Sequence, residues 1–369
     1  MGPGKVRLVN RKIRAVHSYC DVPKSAERVL MNNLPTVSVI VPVYNTPGWM
    51  LTECLNSIAA QSIPVHELVL VDDGSTLDET AAAISEFKEK YKDMLICLNN
   101  AHGGISRALN AGIRAASGDY FCFFASDDYL KTDFIEKLAT AAANAGADIV
   151  FCGYEYVTHR GERVLYTFPE NRIFKETSLS LYAMNGWNFQ LYRRRFLIEN
   201  SCTFPENCIM EDEVFTDFAF THSHLTVSVP EYLCCVRDRD DSVSRSRRRF
   251  NSATVANLPF DEFERCLVQT AHEPLEKREV LAYRIMHSMM ACSFLFCCYS
   301  EKAERKDVTA RAAALVRAHD WREYDFRKIH RDLQDAPSHY LTVAIWRLSL
   351  RLRTEQAASS FFCALSRLV

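Results

Sequence analysis

Three nearly uninterrupted apolar runs, each ending in polar side chains, set the strongest limit on how this chain can fold. Residues 37–45 read Val-Ser-Val-Ile-Val-Pro-Val-Tyr-Asn, residues 67–76 read Glu-Leu-Val-Leu-Val-Asp-Asp-Gly-Ser-Thr, and residues 121–130 read Phe-Cys-Phe-Phe-Ala-Ser-Asp-Asp-Tyr-Leu. Runs this short and this apolar are strands covered on both faces, the pattern of a parallel sheet between layers of helices. Between them lie segments with helical spacing. Leu51, Cys54, Leu55 and Ile58 form one apolar face, and Ala82, Ile84 and Phe87 form another. Pro42 is expected to stop the first strand, with Asn45, Thr46 and Pro47 capping the helix after it. A short third strand (93–98) and a helix (106–116) precede the run at 121–130. The alternation predicts an α/β fold: a Rossmann-like, mostly parallel mixed sheet flanked by helices, with a helical region at the C-terminal end.

Ligands of open α/β sheets bind beyond the C-terminal ends of the strands, so three strand tips converge their polar groups on one edge. They are Tyr44 with Asn45, Asp72 with Asp73, and Asp127 with Asp128. Two acids at the lip of a buried strand call for a cation, but adjacent side chains of an extended segment point opposite ways. Both can meet one ion only if the chain turns there. Otherwise one binds the cation while the other accepts sugar hydroxyls or holds the loop, and an acidic turn without a ligand is the plain alternative. A carboxylate at Asp72 or Asp73 can accept a base N–H or a ribose hydroxyl, while Gly74 permits a tight turn. A dinucleotide site needs three glycines after the first strand, and this chain has none there.

Gly103 and Gly104 let the backbone approach a phosphate or sugar. In the following helix Arg107, Asn110 and Arg114 recur at helical spacing, and Asn110, a poor helix former, needs a partner. Trp187 is either a stacking wall for a sugar ring or a core filler. Glu211, Asp212 and Glu213 start a later helix whose dipole stabilises acids whatever their role, and a carboxylate there could take a proton from an incoming hydroxyl. Arg237 and Arg239 could neutralise a diphosphate or pair with Asp238, Asp240 and Asp241.

A length of 369 residues implies more than one domain. The expected division is a basic arm at 1–34, forming a helix or an ordered arm, a nucleotide-type α/β domain at 35–250, and a helical domain at 251–369. Within the α/β domain a helix is expected at 131–146, a strand at 147–157 with a hairpin partner at 163–168, a short helix at 178–182 and a last strand region at 225–236. Helices are expected at 281–299, 303–318 and 340–353. The formal charge of -2 gives no reason to expect a nucleic-acid partner. The 14 cysteines are scattered through apolar runs without a Cys-x-x-Cys pair, which suits buried thiols in a reducing compartment. With no secretory leader and no apolar stretch of spanning length, the expected location is cytoplasmic. The tail at 344–353 and 361–369 mixes aliphatic, aromatic and Arg residues, which suits a peripheral membrane contact or packing in a homodimer.

Taken in order, these motifs resemble family 2 glycosyltransferases of the GT-A fold: 37–45, Val-Asp-Asp-Gly-Ser at 71–75, Gly-Gly-Ile-Ser-Arg-Ala-Leu-Asn-Ala-Gly at 103–112, Ala-Ser-Asp-Asp at 125–128, Glu211-Asp212, and 237–244. The segment 188–194 is similar to one in bacterial members that build capsular or lipopolysaccharide glycans. The resemblance implies that Pro42, Tyr44, Asp72 and Asp73 hold the nucleotide base and ribose. It also implies that Asp127, with Asp128 close by, binds Mn2+ or Mg2+, and that Asp212 is the catalytic base. Ala125 stands where the family often has Asp. The expected donor-binding set also takes in Asn45 from the first strand end, Gly103 and Gly104 for their close backbone approach, Asn110 on the helix after them, Asp127 and Arg239. The implied reaction is inverting transfer from a nucleoside-diphosphate sugar, with a UDP-sugar favoured, to a hydroxyl of a glycan or lipid-linked acceptor. The rival readings are a sugar-nucleotide or nucleoside-phosphate transferase and a non-catalytic glycan-assembly or glycan-binding subunit.

Overall fold

The computed structural model describes residues 6–10, 34–158, 163–167, 172–175, 188–237, 257–299, 302–319 and 324–325. The expected helices at 178–182 and 340–353, Trp187, Arg239 and the C-terminal tail lie outside the described residues. The chain divides into two compact units. The first gathers Met1–Glu176, Asn185–Glu206 and His222–Asp240; the second gathers Thr177–Met184, Asn207–Thr221 and Asp241–Val369.

The first unit runs β1 (Val6–Asn10), β2 (Val37–Val43), α1 (Gly48–Ala59), β3 (Glu67–Asp72), α2 (Asp78–Lys90), β4 (Leu95–Asn99), α3 (Ile105–Ala115), β5 (Tyr120–Phe123) and β6 (Tyr129–Leu130). It continues with α4 (Phe134–Ala145), β7 (Ile149–Val157), β8 (Arg163–Thr167), β9 (Arg172–Lys175), β10 (Gln190–Arg193), α5 (Arg194–Glu199) and, after a segment of the second unit, β11 (Leu225–Arg237). One mixed sheet orders these strands β1-β8-β7-β10-β5-β2-β3-β4, with β11 pairing to β6, β7 and β9.

The central strands are buried as their composition demands: Val39, Ile40, Val41, Leu68, Val69, Leu70 and Val71 have no exposed surface. β2, β3, β4 and β5 are parallel, and β10 enters antiparallel between β5 and β7. The chain steps outward from β2 through β3 to β4 and then returns to lay β5 on the opposite side of β2. That reversal makes the C-terminal ends of β2 and β5 the switch point, where such sheets open a crevice.

Local chemistry sets these positions. α1 buries Leu51, Cys54, Leu55 and Ile58 as its spacing predicts. α3 lies close over the sheet because Gly112 has no side chain; a Cβ there would meet Ile40 Cγ2 at 2.3 Å. Gly146, with φ 63°, closes α4 in the left-handed conformation that glycine adopts without penalty. β8 pairs antiparallel with β7, the expected hairpin.

Two expectations are corrected. Pro42 does not stop β2, which continues to Val43 with Pro42 opposite Val71; pairing with β5 ends at Ile40, so Pro42 lies on an open edge on that side. On α2, Ala83 is buried with Ile84 and Phe87, whereas Ala82 faces outward, one residue off the predicted face. Near the N-terminus, where the sequence left a helix or an ordered arm open, Val6–Asn10 is a strand parallel to β8.

The second unit contains α6 (Glu211–His222) up to Thr221, α7 (Phe260–Gln269), α8 (Leu275–Tyr299) and α9 (Lys302–Ala318). Phe260, Phe263 and Cys266 of α7, Leu281, Ile285 and Met289 of α8, and Val308 and Ala312 of α9 are all buried. Among the described residues, no helix is long and apolar enough to cross a membrane.

Candidate active site

The turns after β2 and β3 interlock at the sheet edge. Asn45, at φ 49°, donates its N–H to Ser75 Oγ at 3.0 Å, and its Oδ1 accepts the N–H groups of Thr76 (2.7 Å) and Leu77 (3.1 Å). Asn45 therefore serves the start of α2, not α1 as expected. The N-terminus of α1 is served from across the turn, where Glu79 Oε2 accepts the Gly48 N–H at 3.0 Å. Thr80 Oγ1 donates to the Thr46 carbonyl at 2.7 Å and completes the exchange.

The two acids after β3 have different surroundings. Asp72 is half-buried and accepts the Ser75 N–H at 2.9 Å. Asp73 is only 3% exposed, and both its oxygens are engaged: Gly103 N–H at 2.9 Å and Gly104 N–H at 2.8 Å. His102 Nδ1 lies 2.9 Å from the same carboxylate, and its ring stacks on Tyr44 with centroids 4.0 Å apart. Asp73 thus ties the glycine pair to the tip of β3. Two glycines are needed here: Gly74 has φ 77° and a Cβ on it would meet the His102 nitrogen at 2.9 Å, while Gly104 has φ 89°.

The third turn resolves the paired acids. After β5 the chain bends, with the Asp128 N–H reaching the Ala125 carbonyl at 3.3 Å, so the two carboxylates do not alternate as in a strand. Asp128 is buried; its Oδ1 accepts the backbone N–H of Arg237 at 2.9 Å, and its Oδ2 lies 3.5 Å from Asn188 Nδ2. Asp127 is half-exposed. Ser126 ties the turn to the first loop through Thr46 Oγ1 at 2.6 Å. The Cys54 thiol lies beneath, and burial, then the charges of Asp128 and Asp127, push its pKa up, so it is no nucleophile.

Arg237 closes this corner. Its guanidinium donates to the Asp127 carbonyl and pairs with Glu53, and it lies over the rings of Tyr129 (4.8 Å) and Trp49 (5.4 Å). The side chain that the sequence offered to a diphosphate is spent on holding the acidic turn. Asn110 is also occupied: its amide exchanges both hydrogen bonds with the Phe204 backbone, at 2.8 and 2.9 Å, and Arg107 pairs with Glu206. The sequence reading missed His102, Glu53 and Glu206, because nothing local marks their partners. Exposed Trp49, two residues after Pro47, was the available signal beside Arg237.

In the second unit, Asp212 sits in the first turn of α6 between Glu211 and Glu213. Burial, then the carboxylates of Glu262, Glu211, Asp212 and Asp261, push the nearby Cys208 thiol up to about 12. Deeper along α6, Asp217 pairs with Arg284 of α8; burial pushes its pKa up to about 7 against the pull of that guanidinium.

A family model described as glycosyl transferase family 2 matches residues 38–215. This stretch is a family 2 glycosyltransferase domain. The glycosyltransferase domain carries every strand-edge residue described above and Asp212, and Arg237 falls beyond the match. The chain is 29% identical over 224 residues to EpsJ, an uncharacterized glycosyltransferase of Bacillus subtilis, covering 57% of this chain and 63% of that protein. It is 30% identical over 196 residues to TarS of Staphylococcus aureus, a poly(ribitol-phosphate) beta-N-acetylglucosaminyltransferase, covering 51% of this chain and 33% of TarS. The chain therefore spans less than two thirds of the length of these curated relatives.

The crystal structure of S. aureus TarS 1-349 in complex with UDP-GlcNAc superposes with a TM-score of 0.65 at 23% identity, over 86% of this chain and 92% of that one. The mannosyltransferase PcManGT from Pyrobaculum calidifontis, in complex with GDP-Man and Mn2+, gives 0.50 at 18% identity, over 91% and 87%. The fold of the family 2 domain is the GT-A fold of TarS.

Proposed function

We propose that the protein transfers a sugar, with inversion, from a nucleoside-diphosphate sugar to a hydroxyl of a cell-surface glycan or lipid-linked acceptor at the cytoplasmic face of the membrane. A UDP-sugar is the favoured donor, since the family relationship is supported by TarS, whose structure holds UDP-GlcNAc. The observation that carries the reading is the preformed edge at the switch point, where Asp72 and the Gly103–Gly104 backbone are held by hydrogen bonds, Tyr44 stacks on His102, and half-exposed Asp127 sits on a turn held by Arg237.

In this reading Tyr44 and Asp72 contact the nucleoside. Asp73 and Asn45 act through the turns they hold, and Asn110 anchors the Phe204–Glu206 segment. Arg239 is left to meet the diphosphate, since Arg237 is committed elsewhere.

The residues fit a divalent cation. Among the described residues no group of three or more His, Cys, Asp or Glu side chains gathers at one point. Mg2+-type sites need only one or two carboxylates, with water and substrate phosphate oxygens completing the shell. Asp127 is such a carboxylate, and Asp128 keeps its turn bent. Mn2+ or Mg2+ held there would neutralise the departing diphosphate.

Asp212 accepts the proton of the acceptor hydroxyl as that oxygen bonds to the anomeric carbon. The bond from that carbon to the diphosphate oxygen breaks in the same displacement. No covalent sugar intermediate is needed.

The test is release of nucleoside diphosphate from a panel of UDP-, GDP- and dTDP-sugars with Mn2+. Slow, metal-dependent release is expected from one class, and Asp212→Asn should abolish it while donor binding is kept. If no sugar nucleotide binds, the chain is a glycan-assembly subunit and the proposal is wrong.

A further inference from the structure

The helices of the second unit contain a matched pair of side-chain bonds whose spacing points to a mechanical role. On α6, Glu213 and Asp217 lie four residues apart and so share one stripe of the helix. On α8, Arg284 and Ser288 also lie four apart. Ser288 Oγ donates to Glu213, and Arg284 Nε donates to Asp217. The lower-numbered acid meets the higher-numbered partner, so the two helices run antiparallel where they are bridged.

The Arg284–Asp217 contact is buried, with Asp217 1% and Arg284 9% exposed, and the Ser288–Glu213 contact is part-buried, with Ser288 4% exposed and Glu213 half-buried. Asp217 Oδ2 has no hydrogen-bond partner among the described residues, which leaves Arg284 to hold the carboxylate. Burial pushes the pKa of Asp217 up to about 7 against the pull of Arg284, and the charges of Glu213 and Asp212 push in the same direction as burial.

We infer that Arg284 and Ser288 are positioning residues that fix the rotation of α6 about its axis and thereby aim Asp212. Asp212 precedes Glu213 by one residue and so points about 100° around the helix from the bridged stripe. Two bonds one turn apart oppose rotation where one would act as a pivot. A carboxylate about 5 Å from the axis moves roughly 1 Å for a rotation of about 12°, and a misplacement of that size can cost about a hundredfold in rate. The inference rests on the reading of Asp212 as the base. It gives the helices after residue 241 a task in the reaction, although they carry no catalytic motif.

The test compares the full-length protein with Ser288→Ala, Arg284→Lys and Asp212→Asn. UDP and each donor that turns over in the panel above are titrated for affinity and binding stoichiometry, and kcat is normalised to the binding-competent fraction. Ser288→Ala and Arg284→Lys are each expected to lower kcat about tenfold or more, with UDP affinity within about twofold of wild type. A merely structural role would lower the competent fraction and leave normalised kcat unchanged, which overturns the inference. Should Arg284→Lys fail to fold, Ser288→Ala decides alone. If Asp212→Asn is inactive while both clamp variants keep wild-type kcat, the clamp is wrong and the base assignment stands. If Asp212→Asn is active, or no donor turns over, the base assignment falls and takes the clamp with it.

Discussion

Replacing Asp73 with Asn tests whether the edge is held as described. The carboxylate accepts two backbone N–H groups, from Gly103 and Gly104, and faces the His102 ring nitrogen at 2.9 Å. An amide of the same shape has one acceptor oxygen, so its NH2 group must confront one of the two glycine N–H donors. A hydrogen bond to a charged acceptor contributes about 1.5–3 kcal/mol, and a donor left without a partner costs about 1–3 kcal/mol when buried. Since both glycines are half-buried and water relieves part of that cost, the expected loss is about 2–3 kcal/mol.

The loss should concentrate in the glycine loop. Hydrogen exchange at the Gly103 and Gly104 amides should accelerate by about thirtyfold or more, with a smaller fall in the global melting temperature. UDP affinity should weaken by up to the same factor, because the loop must be reordered on binding. Unchanged exchange at both amides together with unchanged UDP affinity would refute the clamp. Fast exchange with unchanged UDP affinity would show that the glycine loop is not part of the donor site.

Asp127→Asn should raise the Mn2+ concentration needed for half-maximal release of nucleoside diphosphate at least tenfold with little change in melting temperature; equal metal titrations would remove Asp127 from the cation site. Asp128→Asn should instead cost about 1–3 kcal/mol of stability, because its Oδ1 holds the Arg237 N–H, and urea unfolding measures this. Glu67 is held below its ordinary pKa of 4.5: burial works against this, but the Ser117 N–H and the Ser38 and Ser117 hydroxyls overcome it. Its contribution is therefore present above about pH 4.5 and lost as the pH falls through the lowered value. The melting-temperature gap between wild type and Glu67→Gln should narrow toward pH 3, and a gap independent of pH would contradict the sign. Gly112→Ala should destabilise by about 1–3 kcal/mol through overpacking on Ile40, read by the same urea titration.

The layout of the sheet was legible because burial on both faces leaves an unmistakable apolar run, as in residues 68–71 and 121–124. Asn110 was legible as an anomaly, since an amide inside a good helix needs a partner, and Phe204 supplies it. What stayed hidden depends on partners far along the chain. Asn45 looked like the cap of the helix beside it, but its acceptor serves amides about thirty residues later. Arg237 looked free for a phosphate, but its partner Glu53 lies 184 residues earlier. Asp72 and Asp73 are indistinguishable as letters and separate only once the glycine loop folds onto one of them. The turn at Asp127 and Asp128 has the same character: which acid faces outward is set by the last strand of the sheet.

The contact between Gly112 and Ile40 has a consequence for how this chain can drift. The two positions share one volume, with the branched side chain filling the space that the glycine leaves empty. A methyl group can be gained at 112 only in step with loss of the Ile40 Cγ2 methyl, which valine keeps and alanine lacks, so Gly112→Ala should cost less stability in an Ile40→Ala background than in the wild type. Protein engineers who alter either position alone will shift the register of α3 over the sheet, and with it the glycine loop at its start.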